Sequence, residues 1–242
     1  TGILVHRYGP HIFHTDKKDI WDFVNSLAEF RPYVHRVKAM YRGRVYPLPV
    51  NLQTLNQFFD GTFTPDTAQE FLQSLADKKI TSPENFEQQA LSFIGKELYE
   101  AFFYGYTKKQ WGCEPAALPA SILKRIPVRF NYDDNYHPDL YTGIPVEGYT
   151  RLIERLIDHP SIHVRLNNKF YPGTMADGYD HIFYTGPIDA YFNYEFGRLG
   201  YRTVTFESTV SRGDFQGVAQ MNYCDESVPY TRITEHKHFA PW

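Results

Sequence analysis

Residues 82–112 read SPENFEQQALSFIGKELYEAFFYGYTKKQWG, and this stretch closes a mostly helical block. The hydroxyl of Ser82 followed by a proline is typical of a helix start, and apolar residues then recur at helical spacing from Ala90 to Leu98. The segment 102–112 ends the stretch with flat rings and cations, which together suit a surface that binds a flat ring and an anion. We therefore expect a binding cleft at this point of the chain.

Upstream of that stretch the sequence predicts three more helix starts and one β-hairpin. The hairpin spans residues 37–50 and turns at Arg42-Gly43, and its two prolines confine it to the edge of a sheet. Short polar side chains before apolar periodic segments indicate the helix starts. The predicted caps are Thr15 or Asp16, Asn51, and Thr64 with its following Pro65.

The character of the sequence changes after about residue 145. One amphipathic helix carries Leu152 and Leu156, and short alternating segments then predict β-strands. Strand-rich sequence after helix-rich sequence predicts an α+β fold with a mostly antiparallel sheet. The predicted strands are 163–166, 181–184, 203–210 and 218–223.

The composition excludes several functional classes. A hydrophobic content of 42% and a charged content of 22% are ordinary for a soluble globular protein of 242 residues. The net charge of −3 argues against nonspecific nucleic-acid or membrane-surface binding, and no apolar run approaches the length of a membrane span. Cys113 and Cys224 lack metal or redox spacing. The expectation is a cytoplasmic protein without nucleic-acid or membrane partners.

Motifs for common catalytic chemistry are missing from the sequence. It contains no glycine-rich phosphate loop, no H-E-x-x-H, no C-x-x-C and no G-x-S-x-G, so covalent catalysis by a side chain has no support. His11 and His14 stand three residues apart after a Gly-Pro turn and could ligate a metal or line a pocket. No cysteine or carboxylate partner is evident for them, so no metal site is predicted and a structural role is the default.

Three arginines are candidates for binding phosphate. A guanidinium presents a planar fork that suits two phosphate oxygens. Arg125, Arg129 and Arg232 stand in suitable contexts, although each could equally form an ordinary surface ion pair. The aromatic neighbours Trp111 and Tyr136 favour Arg125, because a stacked ring beside a charged fork is what a nucleoside diphosphate requires.

Seven segments spread over nearly the whole chain carry a family resemblance. They are 8–15, 102–112, 125–136, 148–150, 184–189, 228–232 and 235–239. Together and in this order they resemble the UDP-galactopyranose mutase family, whose members interconvert UDP-galactopyranose and UDP-galactofuranose for cell-wall polysaccharide biosynthesis. The resemblance implies an isomerase, a flavoprotein that uses reduced FAD to displace UDP and form a flavin N5–sugar adduct.

The resemblance also implies roles for individual residues. Arg125, on a mobile lid, and Arg232 would bind the diphosphate, and both would be catalytic together with His14. The substrate-binding set would comprise Phe102, Phe103, Tyr106 (stacked on uracil), Thr107, Trp111, Arg125, Tyr136, Asn222 (near the sugar) and Arg232. The cofactor-binding set would comprise His11, His14, Gly186 and Asp189, which would border the flavin.

The sequence departs from the family in two places. The family begins with a βαβ unit whose glycine-rich loop holds the FAD pyrophosphate, and it continues beyond the segment 235–239; neither part is found here. We therefore expect a fragment of an α/β parent, inactive alone and binding FAD weakly or not at all. It would divide into a mainly helical substrate region with the hairpin and lid, 15–145, and a sheet-rich region with FAD-domain remnants, 1–14 and 146–242.

Two alternative functions stay open at this point. The same aromatic and arginine cleft would serve a noncatalytic sugar-nucleotide-binding module, and the flavin features would serve an oxidoreductase of the amine-oxidase type. The natural ligand in the leading interpretation is UDP-galactose, and a homodimer is possible.

Overall fold

The computed structural model describes residues 2–125, 128–171 and 178–242. Over these ranges the helices are α1 (Lys18–Leu27), α2 (Leu52–Phe58), α3 (Pro65–Leu75), α4 (Phe86–Leu98), α5 (Gly105–Trp111), α6 (Tyr149–Ile157) and α7 (Ile188–Tyr191). A π-helical turn, Tyr99–Tyr104, joins α4 to α5, and 3-10 turns lie at Pro115–Ala117, Ala120–Arg125 and His236–His238. None of the helices in these ranges has the length and hydropathy that a membrane-spanning segment requires.

Seven strands in the same ranges form two small sheets. They are β1 (Phe13–Thr15), β2 (Phe30–Pro32), β3 (Val37–Tyr41), β4 (Arg44–Leu48), β5 (Tyr141–Pro145), β6 (Gln220–Tyr223) and β7 (Arg232–Thr234). The first sheet has the order β1-β5-β2 and is antiparallel throughout. The second has the order β4-β3-β6-β7, with β3 and β6 parallel. The mixture of helices with mostly antiparallel sheets confirms the coarse prediction of the fold.

The hairpin predicted over residues 37–50 is present as β3 and β4. Its turn residues Arg42 and Gly43 both have positive φ angles, of 47° and 75°, as a two-residue hairpin turn requires. Strand β4 lies at the edge of its sheet, where Pro47 removes no ladder hydrogen bond from a neighbour. The hairpin and its edge position are therefore confirmed.

The helix starts agree with the sequence in two places and differ in two. Asn51 and Thr64 cap α2 and α3 as predicted, each in a reciprocal capping box. Helix α4 begins three residues later than the Ser82-Pro83 signal, because the Asn85 side chain accepts the Gln88 N–H and becomes the cap.

Helix α1 has no side-chain cap, so its predicted start is wrong as well. The Asp16 carboxylate accepts the backbone N–H of Leu140, and the Thr15 hydroxyl accepts that of Lys17, the residue before the helix. Both side chains therefore accept backbone N–H groups outside α1, and neither caps the first turn of the helix.

Three of the four strands predicted after residue 160 are absent from the structure. Segments 163–166, 181–184 and 203–210 pair with no other described residue, whereas 218–223 provides β6. Their apolar side chains are open to solvent, to 88% at Phe183 and 91% at Val210. A strand needs a hydrogen-bonded neighbour as well as an alternating pattern, and no described residue supplies one. The division into two regions stays a prediction.

The largest hydrophobic core lies between the β3–β4 hairpin and the helices α2 to α4. The aromatic segment reaches into this core, where the Phe102 ring contacts the rings of Tyr41, Tyr46 and Phe58 at centroid distances of 5.2–6.2 Å. The first half of the predicted ring-binding surface is therefore buried. Its remaining residues, on α5, are carried across the end of β6.

Candidate functional site

Strands β6 and β7 place two of the predicted site residues side by side. Asn222 and Arg232 are Cα partners in the antiparallel ladder, so their side chains share one face of the sheet. The Arg232 guanidinium is exposed and forms no hydrogen bond or ion pair with another described residue. It is a cation available to a ligand.

Tyr106 on α5 lies close to that face. Its side chain is partly buried, and burial raises its pKa, while the nearby Arg232 acts in the opposite direction and Tyr136 and Cys224 add to the increase. Thr107 on the same helix is buried. The structure therefore brings Tyr106, Tyr136, Asn222 and Arg232, all predicted from the sequence, into one neighbourhood.

The other predicted substrate residues stand in different surroundings. Phe102 and Phe103 are buried in the largest hydrophobic core, so their rings pack beneath α5. Trp111 ends α5 and is exposed, where a ligand can reach its ring. Arg125 closes the 3-10 turn Ala120–Arg125, and its side chain lies outside the described part of the structure. Its role on a lid stays a prediction.

Arg129, the third arginine candidate, is engaged within its own loop. One terminal nitrogen, Nη1, donates to the carbonyl oxygens of Asp133 and Asn135 and to the Asp133 carboxylate, at distances of 2.5–3.2 Å. Its side chain is also largely buried. This guanidinium holds the loop that carries Tyr136 and is not available to a phosphate.

Lys108 and Lys109, the two cations of the segment 102–112, both bind other parts of the chain. Lys109 Nζ donates to the carbonyl oxygens of Tyr223, Asp225 and Tyr230 at 2.6–3.0 Å, and burial lowers its pKa. The ammonium therefore fixes α5 to the loop between β6 and β7. Lys108 pairs with the carboxylates of Glu114 and Glu226.

A buried histidine that the sequence did not single out lies behind the face. Burial lowers the pKa of His35 to about 4, helped by the neighbouring His137 and Arg232 and opposed by a hydrogen bond with the Gln220 side chain. Its ring meets the edge of Tyr136 at a centroid distance of 5.7 Å. His35 is therefore neutral at pH 7. A histidine before an apolar strand was the only signal for it in the sequence.

His14 belongs to a second cluster, at the edge of the first sheet. Its Nδ1 lies 2.9 Å from the Asp139 carboxylate, and its ring stacks on His137 with centroids 4.1 Å apart. One ligand atom from each of these three residues lies within 4.8 Å of the others, a grouping that a metal ion could use. The His14–Asp139 contact already accounts for the arrangement, and the absence of a metal from the function stays a prediction.

His11 and its neighbour His6 form the other part of this region. The His11 backbone N–H donates to His6 Nδ1 at 3.2 Å, and burial, with His236 and His11, lowers the pKa of His6 to about 4. The neutral His6 ring therefore carries its proton on Nε2, which is buried and has no hydrogen-bond partner among the described residues. An unpartnered N–H beside this turn fits the acceptor-rich edge of a flavin ring.

Gly186 and Asp189 are not brought to the histidines. Over the described ranges no hydrogen bond, ion pair or ring contact joins them to His11 or His14. The Asp189 carboxylate accepts the backbone N–H groups of Ala190 and Leu199, within its own turn. Their role at a flavin stays a prediction.

The Phe239 ring contacts both His6, on the candidate flavin side, and His35, near the β6–β7 face. This ring is fully buried and lies 5.4 Å from the His6 ring, 5.6 Å from His35 and 5.6 Å from Tyr33, measured between centroids. The segment 235–239 therefore packs between the substrate residues and the candidate flavin side.

A separate open depression of about 540 Å³ lies between β4 and α2. Its polar lining includes Arg44, Gln53, Gln57 and Asp60. None of the residues predicted for substrate or cofactor lies in it. Chemistry and charge place the candidate site at the β6–β7 face instead.

The chain is similar in sequence to several known mutases. A sequence profile of the UDP-galactopyranose mutase family matches residues 101–242, which include the face and α5. A probable UDP-galactopyranose mutase from Klebsiella pneumoniae is 58% identical over 242 residues, and a dTDP-fucopyranose mutase from Escherichia coli is 52% identical over 248. The whole chain aligns with both, and it covers 63% of the first and 66% of the second.

A solved structure, a reduced UDP-galactopyranose mutase, overlaps in part. The superposition covers 61% of this chain and 34% of the other, with a TM-score of 0.43 and 16% identity.

Proposed function

Because the chain belongs to the UDP-galactopyranose mutase family, we propose that it serves the interconversion of a sugar nucleotide between its six- and five-membered ring forms, with UDP-galactose as the substrate. The observation that carries the proposal is the juxtaposition of Tyr106, Tyr136 and Asn222 with the uncommitted Arg232. Rings, an amide and a free guanidinium on one face are what a nucleoside diphosphate needs.

The residues of this chain would bind and orient the substrate. The Arg232 guanidinium would take the diphosphate through charge-assisted hydrogen bonds, which are stronger than neutral ones. Tyr106 would stack on the base, and its raised pKa keeps its hydroxyl protonated near neutral pH. Arg125, at the end of its 3-10 turn, would complete the clamp.

The family resemblance implies FAD, and the unpartnered His6 N–H together with the 9–14 segment fits it. His6, His11 and His14 would hold the ring, with Gly186 and Asp189 contributing from the other side. When bound and reduced, the flavin supplies the nucleophile that no side chain of this chain provides. The packing of Phe239 between the two regions would keep water away from the space they share.

A second candidate substrate is favoured by one specific observation. The Escherichia coli relative is a dTDP-fucopyranose mutase, and it is nearly as similar to this chain as the Klebsiella pneumoniae protein is. A deoxythymidine nucleotide of a 6-deoxy sugar carries the same diphosphate, so Arg232 serves it equally well. Discrimination would have to come from contacts to the base, the ribose or the sugar.

The decisive experiment incubates the longer protein that carries this chain with FAD, dithionite and either UDP-galactofuranose or dTDP-fucofuranose, and follows conversion by chromatography. Conversion of the UDP sugar supports the first proposal, and faster conversion of the dTDP sugar supports the second. Binding of UDP without conversion of either sugar favours a noncatalytic sugar-nucleotide-binding module. FAD binding without affinity for UDP or dTDP favours an amine-oxidase-type enzyme and contradicts both mutase proposals.

A further inference from the structure

Three polar side chains are buried together at the β6–β7 face. His35, Gln220 and Asn222 are only 4%, 6% and 8% exposed, so each must be hydrogen-bonded to offset the cost of losing water. The buried Asn51 and Thr54 are explained by the cap of α2. The group of three has no such local explanation.

The three side chains interact with one another and with Tyr33. Burial raises the pKa of Tyr33, and its protonated hydroxyl lies 3.4 Å from His35 Nδ1. His35 is neutral, and its ring also interacts with the Gln220 side chain.

The hydrogen bond from Gln220 orients the Asn222 amide. Gln220 donates through Nε2 to Asn222 Oδ1 at 3.0 Å. The Asn222 oxygen therefore faces inward and its NH₂ group faces away from Gln220. Across the described ranges no residue accepts from this NH₂ group, and it is not among the sealed unpartnered atoms. It opens onto the face that carries Arg232.

We propose that Gln220 is a positioning residue that holds the Asn222 amide as a hydrogen-bond donor, so that Asn222 and Arg232 together bind an anionic oxygen of the ligand's diphosphate. The inference rests on the proposed function and changes one detail of it, because the sequence placed Asn222 near the sugar. Two neighbouring groups that only donate suit an oxygen that only accepts, and a phosphate oxygen is such an acceptor.

The test measures UDP binding at pH 8 by isothermal titration calorimetry for the wild type, Gln220→Glu and Gln220→Met. A carboxylate at position 220 can only accept, so it takes the Asn222 NH₂ group and turns the amide oxygen towards the ligand. We expect Gln220→Glu to raise the Kd for UDP by about tenfold or more. Gln220→Met, which leaves the amide free to turn, has a smaller effect. The exposed Gln57→Glu adds the same charge elsewhere and leaves the Kd unchanged.

A second measurement separates this inference from the proposed function. The side-chain NH₂ resonance of Asn222 is followed by ¹⁵N NMR during titration of the wild type with inorganic pyrophosphate, and a shift is expected. A chain that does not bind UDP but shows this shift overturns the proposed function and keeps the inference. Equal UDP affinity in the wild type and both Gln220 variants overturns the inference alone. A wild type that responds to neither ligand overturns both.

Discussion

Gly105 lies directly against the backbone of Cys224. A methyl group placed on the Gly105 Cα would stand 2.5 Å from the Cys224 carbonyl oxygen, closer than van der Waals contact allows. The first turn of α5 can therefore rest on the end of β6 only because this residue has no side chain. The distance between the aromatic helix and the β6–β7 face is set here.

Replacement of Gly105 by alanine should push α5 off β6. Its helical backbone would otherwise favour alanine, so a loss of stability isolates the steric effect. We expect the free energy of unfolding to fall by ~1–3 kcal/mol, as for other overpacked sites. Urea denaturation measures it. Gly200→Ala is the matched control, because nothing lies within 4 Å of a methyl group there, and stability losses of equal size would contradict the argument.

Lys109→Met should loosen the loop between β6 and β7. The variant keeps the length of the side chain but leaves three carbonyl oxygens without their charged donor. We expect a loss of ~1.5–3 kcal/mol in unfolding free energy, the range for hydrogen bonds to charged groups. Lys96→Met, on an exposed i,i+4 pair, should change stability by less than about 0.5 kcal/mol. Similar values for the two variants would mean that Lys109 is a solvated surface residue after all.

Arg232→Ala and Arg129→Ala should have opposite signatures. Arg232 is free, so its loss should weaken UDP binding by ~1.5–3 kcal/mol in calorimetry and leave the melting temperature nearly unchanged. Arg129 is committed to its own loop, so its loss should lower the melting temperature first. An Arg232→Ala variant with intact UDP affinity would remove this residue from the proposed clamp.

The stability of the fold should decrease as the pH falls from about 6.5 towards 4. The pKa of His35 is about 4 in the folded state and near the ordinary 6.5 in the unfolded state, so the unfolded chain binds more protons in this window. His6 contributes in the same direction. Urea denaturation at pH 7, 6 and 5 measures the slope, which should be smaller in His35→Gln. An identical slope in that variant would show that His35 does not titrate on unfolding.

Local signals in the sequence predicted the local structure well. The Arg42-Gly43 turn and the Asn51 and Thr64 caps depend on residues within a few positions of one another, and the structure has them where the sequence placed them. Ser82 does not cap α4, because Asn85, a second capping residue three positions later, caps the helix instead. Alternation over 181–184 and 203–210 could not show whether a neighbouring strand exists, and none is found among the described residues.

The residues of the candidate site were also predicted only in part. Aromatic and arginine residues were found because their chemistry is visible in the sequence itself. Lys109, His35 and Gln220 were missed, because Lys109 binds carbonyl groups more than 100 residues away in the chain, and His35 and Gln220 meet only in the folded structure. The availability of Arg129 to a phosphate was overestimated, because residues that follow it closely in the chain accept hydrogen bonds from its guanidinium.

The parallel pairing of β3 with β6 has a consequence for the order in which the protein takes shape. Val37 pairs with Gln220, so the strand that carries Asn222 attaches to a hairpin made about 180 residues earlier during synthesis. Contacts of such long sequence separation form late, because the loop between them must first be closed. The hairpin and the helices up to α5 can therefore assemble on the ribosome well before the anion-binding face exists. A ribosome-bound chain stalled before residue 220 should hold a formed aromatic helix and no affinity for UDP.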